Sequence, residues 1–90
     1  MNQDAAQTIA LMALSFLIED DERLGGFMGA TGLDADDLPR GATDPDMLGG
    51  VLDYLLAFEP LLTEFADHAG ISPEDPIRAR QALPGFMPPM

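Results

Sequence analysis

The chain has 90 residues, with sixteen Asp and Glu against four Arg and no Lys, a formal charge of −12, and no Cys. That length is room for one domain with a core able to fold alone but little to spare. The charge disfavours bulk attraction to nucleic-acid phosphates or anionic lipid, and the missing thiols exclude disulfides, thiolate metal sites and thiol catalysis together.

The first stretch, Ile9 to Ile18, is apolar except for Ser15. It falls short of the roughly 20 residues needed to span a bilayer. Asp4 stands where a secretion signal carries a cation, and no small-residue cleavage site precedes the acidic run Glu19-Asp20-Asp21-Glu22. The expectation is a cytoplasmic protein with no membrane segment, its first helix running from about Asp4 to Glu19 in residues of high helix propensity.

Asp20 or Asp21 then caps a second helix, which Gly32 ends in the left-handed conformation. Asp34 is expected to cap a short third helix that fails at Pro39 or Gly41. Asp44-Pro45 is an N-cap followed by proline at the first helical position. Met47, Leu48, Val51, Leu52, Leu55 and Leu56 form one apolar stripe at helical spacing. Pro60 marks another first turn, from which Leu61, Leu62, Phe65 and Ala69 face inward before Gly70. Ser72-Pro73-Glu74-Asp75 opens a last helix that ends before Pro84. Nothing alternates with period two, so no sheet is expected.

The chain repeats itself at an offset of 38 positions, the separation of Gly32 and Gly70. Leu14-Ser15-Phe16-Leu17-Ile18 realigns on Leu52-Asp53-Tyr54-Leu55-Leu56, Leu24 and Phe27 on Leu62 and Phe65, Asp36-Asp37 on Glu74-Asp75, and Arg40 on Arg78. A period of this length implies two copies of one supersecondary unit. The fold class expected is all-α: a small bundle of five to six helices built from two helix-helix-short-helix repeats, residues 4–43 and 44–82. Both lie in a single helical domain over 1–83, followed by a Pro-rich tail, 84–90. The two long first helices should meet centrally, covered by their mates, with Phe16, Leu17, Phe27, Leu52, Leu55 and Phe65 dominating stability. Ser15 and Asp53, the lone polar residue of each apolar run, should touch solvent or a capping group. Two such units can also meet between chains, so both a monomer and a homodimer are open.

Candidate functional positions are those where the copies part. Gly25, Gly26 and Gly29 stand where the second copy has Thr63, Glu64 and Asp67. Three glycines in two turns cost about 1 kcal/mol each against Ala, a penalty explained by close approach of another element or by composition bias alone. In the tail, Phe86, Met87 and Met90 are apolar enough to dock on a surface, whether of this domain or of a partner, and a disordered tail with no role is the plainer reading. Gly25-Gly26-Phe27-Met28-Gly29 is no phosphate loop, lacking a preceding strand and a following Lys. Asp34-x-Asp36-Asp37 begins like a calcium loop but fails at Leu38 and Pro39.

His68 is the sole imidazole, and Glu64 precedes it by one helical turn, a pairing able to seed a carboxylate–histidine metal site or a general base. One His with scattered carboxylates is sparse for zinc, and a helix C-terminal His beside the dipole is the plainer reading. Ser15 and Ser72 are the only serines. Ser72 reads as a cap and Ser15 sits in an apolar helix, which leaves a Ser/His/Asp triad remote. No catalytic, cofactor-binding or metal-ligating residue is therefore assigned, and no cofactor is expected.

Leu14-Ser15-Phe16-Leu17, Glu22-Arg23-Leu24, Phe27, Thr31-Gly32-Leu33-Asp34, Leu52-Asp53-Tyr54-Leu55-Leu56, Glu59, Leu61-Leu62 and Phe65 together resemble domain-of-unknown-function family 3572. Its members are small alphaproteobacterial proteins, and the likeness covers about residues 9 to 83. The resemblance implies an intracellular bacterial protein and carries over no site residue. The functional expectation is a non-enzymatic acidic helical module that binds a protein partner with a basic or apolar surface and no nucleic acid directly. Two alternatives stay open. One is an acidic decoy for a basic nucleic-acid-binding protein, with Asp20, Asp21, Glu22, Asp34, Asp36 and Asp37 spaced like phosphates; the other is a small enzyme or metal site around His68 and Glu64.

Overall fold

The described residues of the computed structural model are 1–83, apart from the side chain of Ala42. They form α1 (Gln3–Ile18), α2 (Asp21–Thr31), a 3-10 helix (Leu38–Ala42), α3 (Pro45–Leu56), α4 (Glu59–Ala69) and α5 (Glu74–Ala82), with no strand among them. The class is all-α, as the spacing of apolar residues predicts. Phe86, Met87 and Met90 lie outside the described residues. No described helix is long and apolar enough to cross a membrane.

The helix ends follow local chemistry. Asn2 Oδ1 accepts from the Ala5 amide at 2.8 Å, Asp20 Oδ1 from Glu22 at 2.8 Å, and Asp44 Oδ1 from Asp46 at 3.0 Å, each satisfying a first-turn N–H that has no partner within the helix. Gly32 and Gly70 end α2 and α4 at φ of 76° and 69°, a region that a Cβ disfavours. At α5 the caps are reciprocal: Ser72 Oγ accepts from the Glu74 amide, and Asp75 Oδ2 accepts from the Ser72 amide. Asp34, expected to cap a helix, instead closes a turn, its Oδ1 accepting from Asp36 while Asp37 Oδ2 accepts from the Asp34 amide. Helix starts only at Leu38, and Pro39, with no N–H to donate, sits within a tight 3-10 segment.

The duplication is structural. α2 and α4 have bounds offset by 38 residues at both ends, and α1 and α3 end in the same register at Ile18 and Leu56. α1 and α3 pack together, and the second helix of each copy touches both. Phe16, Leu17, Phe27, Leu52, Leu55 and Phe65 are all buried, as expected; each contributes roughly 1.5–3 kcal/mol.

The third elements break the symmetry. α5 lies across α1 and α3, and its contact with α1 is the most extensive between any two elements. Its polar sequence had not marked it as central. α1 meets the bundle with Ala6, Ala10 and Ala13, none of them exposed, and side chains this small let a neighbouring backbone come close. α5 contributes buried Pro76, Ala79 and Arg80, followed by buried Leu83.

Candidate interaction surface

From Ala5 to Ile18 α1 carries no charged residue, although the chain around it is densely acidic. One face of this helix is nevertheless open to solvent, with Ala5, Thr8, Met12, Ser15 and Ile18 all exposed. That face and α4 enclose an open groove of about 510 Å³. Leu11, Met12, Phe16, Phe65 and Ala69 give it an apolar lining, while Thr8, Ser15, Glu19 and His68 supply its polar groups. Met12 stands on it with 37% of its surface exposed.

The groove is rigidified at the Phe16 end. The Arg23 guanidinium lies 3.9 Å over the Phe16 ring, donates to the Phe16 carbonyl at 3.2 Å, and pairs with Glu64 at 2.7 Å. Phe65 and His68 tilt against the same ring, with centroids 5.5 Å and 5.4 Å away. Aromatic pairs and a cation over a ring each contribute about 0.5–1.5 kcal/mol. The network thus locks α2 and α4 to the end of α1.

Glu64 and His68 are drawn to different partners. Glu64 is held by Arg23, whereas His68 Nε2 lies 3.3 Å from Glu19 Oε2. Among the described residues no three His, Cys, Asp or Glu side chains converge as a metal-binding group would. Ser15, Glu19 and His68 do line one groove. The described hydrogen bonds include none between Ser15 and His68, and both His68 and Glu19 are solvated.

The three glycines of α2 do not act as one strip. An added Cβ at Gly25 or Gly29 would meet nothing within 4 Å among the described residues, whereas at Gly26 it would lie 2.8 Å from the Tyr54 hydroxyl. Close approach therefore applies at Gly26 alone, where the Tyr54 ring packs edge-on against Phe27 with centroids 5.4 Å apart. Gly26 and Tyr54 also border a third concavity with Asp20, Glu22, Phe58 and Glu64.

Sequence reasoning missed a cluster on α3. Arg80 from α5 is 8% exposed at its side chain and donates to Asp53 Oδ1 at 2.6 Å. A Cβ on Gly49 would come within 3.2 Å of the guanidinium carbon. Asp53 thus meets a capping group as well as solvent. In the first copy the positions equivalent to Gly49, Asp53 and Arg80 are Leu11, Ser15 and Ala42. All three differ together, a coupled change that self-alignment offers as a signal.

The two grooves are also related by the duplication. A smaller groove of about 310 Å³ runs between α2 and α3. Its Asp46, Gly50, Phe27 and Thr31 are the equivalents of Thr8, Met12, Phe65 and Ala69 in the larger one. A family model described as "Protein of unknown function (DUF3572)" matches residues 3–86. The chain belongs to this family. No curated protein and no solved structure matches it.

Family membership leaves the acids to be understood from their positions. Asp20, Asp21 and Glu22 begin α2, whereas Asp34, Asp36 and Asp37 follow its end. Asp20, Asp34 and Asp37 bind backbone amides, and Asp37 also pairs with Arg40 at 3.0 Å. The two sets stand at opposite ends of one helix as caps and turns.

Proposed function

We propose that the protein is a non-enzymatic docking module of the cytoplasm, acidic and helical, which binds another protein through the groove between α1 and α4. The uncharged exposed face of α1 in a chain of charge −12 carries this reading. Depletion of charge at the centre of a patch, with charge at its rim, is the compositional mark of a protein interface. Met12 adds a flexible, polarizable side chain suited to adaptable contacts.

The test is a photo-crosslinking amino acid placed at Met12, with a second at Ala35 in the exposed turn as control. The same identified protein should be captured from Met12 in repeated experiments and not from Ala35. Equal capture at both positions overturns the reading.

Serine chemistry is the second reading, favoured by Ser15, Glu19 and His68 lining the same groove. It ranks below docking because activation of a serine needs its hydroxyl within hydrogen-bond reach of a base. A fluorophosphonate probe is expected to leave the protein unmodified. Labelling that disappears in Ser15→Ala would promote this reading over the first.

A further inference from the structure

The open face of α1 has a pattern along its length. Asp4, Thr8, Met12, Ser15 and Glu19 follow one another at helical spacing, so an uncharged centre is bounded by a carboxylate at each end. The stripe is roughly 22 Å long. It is a surface cut to the length of a short helix.

The duplication shows what one side of such a face accepts, although Asp46 and Gly50, the equivalents of Thr8 and Met12, line an open groove. On α3 the positions equivalent to Leu11 and Ser15 are Gly49 and Asp53, and a helix lies over them, with the Arg80 guanidinium against Gly49 and donating to Asp53. The first copy has a five-residue 3-10 segment in place of α5, and Leu11 and Ser15 line open space. We propose that the groove is completed by a helix of another protein, apolar where it faces Met12 and carrying Arg or Lys at the ends that meet Asp4 and Glu19. This rests on the docking reading and adds the chemistry of the partner.

A second copy of the chain fits the same face poorly. Two-fold pairing of antiparallel α1 helices sets each Glu19 beside the other chain's Asp4 and brings together two proteins of charge −12. Like-charge juxtaposition of this kind selects against self-association and in favour of a cationic partner.

Two synthetic helical peptides of about 16 residues test this. They share Leu at helical spacing and differ only in having Arg or Glu at both ends. Each is titrated into the isotope-labelled full-length protein. The Arg peptide is expected to shift the amides of Thr8, Met12, Ser15 and His68 and to bind about ten-fold tighter than the Glu peptide, with the difference shrinking in high salt. Met12→Asp should weaken it about ten-fold and Glu19→Gln several-fold, both with unchanged circular dichroism.

Equal binding of both peptides in the groove overturns the basic-helix inference and leaves docking intact. If neither peptide shifts those amides the inference also falls, and crosslinking at Met12 decides the docking reading separately. Concentration-dependent shifts of the same amides without peptide would make a second copy the occupant. A rise in affinity of about ten-fold on replacing Phe86 and Met87 by Ser would make it the chain's own tail. Either result overturns the proposal.

Discussion

The two copies share two helices in register and differ in the third element. In the second copy α5 covers α3, buries Arg80 over Gly49 and binds Asp53. In the first, Pro39 and Gly41 confine the equivalent stretch to a 3-10 segment, and the α1 face stays open. One architecture therefore yields a half whose Gly49 and Asp53 are covered and a half whose equivalent Leu11 and Ser15 stay open. The difference teaches that a change in one short element uncovers the Leu11 and Ser15 side of the groove, whereas the side formed by Thr8 and Met12, or by Asp46 and Gly50, is open in both copies.

The strongest way to probe this comparison is at the positions the copies share. Phe27→Ala and Phe65→Ala should each cost about 3–5 kcal/mol, since both rings are buried and equivalent. Urea unfolding checks this, and a cost below about 1 kcal/mol at either site would show that the copies are not packed alike. Next in size is the cluster that distinguishes them. Arg80→Ala should cost about 2–3 kcal/mol, through lost packing of its aliphatic stem as much as lost pairing with the half-exposed Asp53. Gly49→Ala should cost about 1–2 kcal/mol alone and markedly less once Arg80 is gone. Strict additivity of the two would mean that the guanidinium is not what excludes a Cβ.

Smaller effects sharpen the picture of α2. Gly25→Ala and Gly29→Ala should each raise stability by about 0.5–1 kcal/mol, because nothing described fills the space and the helix gains propensity. Gly26→Ala should gain less or lose, since the Tyr54 hydroxyl must move. Equal gains at all three in thermal melts would contradict the placement of Tyr54. Smallest of all, Arg40→Ala and Arg78→Ala should each change stability by less than about 0.5 kcal/mol, both being exposed and locally paired.

Much of the fold was legible because it rests on local rules. Asp20, Asp44, Gly32 and Gly70 mark helix ends through groups within a few residues of one another, and the stripe on α3 needs only helical period. α5 was legible as a helix from Ser72 to Asp75, but not as a central one. It is buried through Ala79 and the stem of Arg80, residue types equally common on surfaces, so no hydropathy signal announced them. The glycines misled for a related reason: backbone exposure and close approach look alike in sequence, and only Tyr54 arriving from α3 singles out Gly26. Of the candidate site, Ser15 stands out in the sequence as an interruption in an apolar run. The groove beside it depends on α4 crossing from the other copy, which no local pattern encodes.

The pairing of α1 with α5 joins the first of the described helices to the last. On a ribosome adding about 5–20 residues per second, α1 emerges seconds before α5, the element it meets most extensively. The contact between α1 and α5 carries the loop-closure cost of nearly the whole domain. The packing of α1 is thus completed only once α5 is present, and until then the side of α1 that α5 meets must be kept from other apolar surfaces. The acids clustered just beyond α1, from Glu19 to Glu22, emerge next and supply repulsion between nascent chains during that interval.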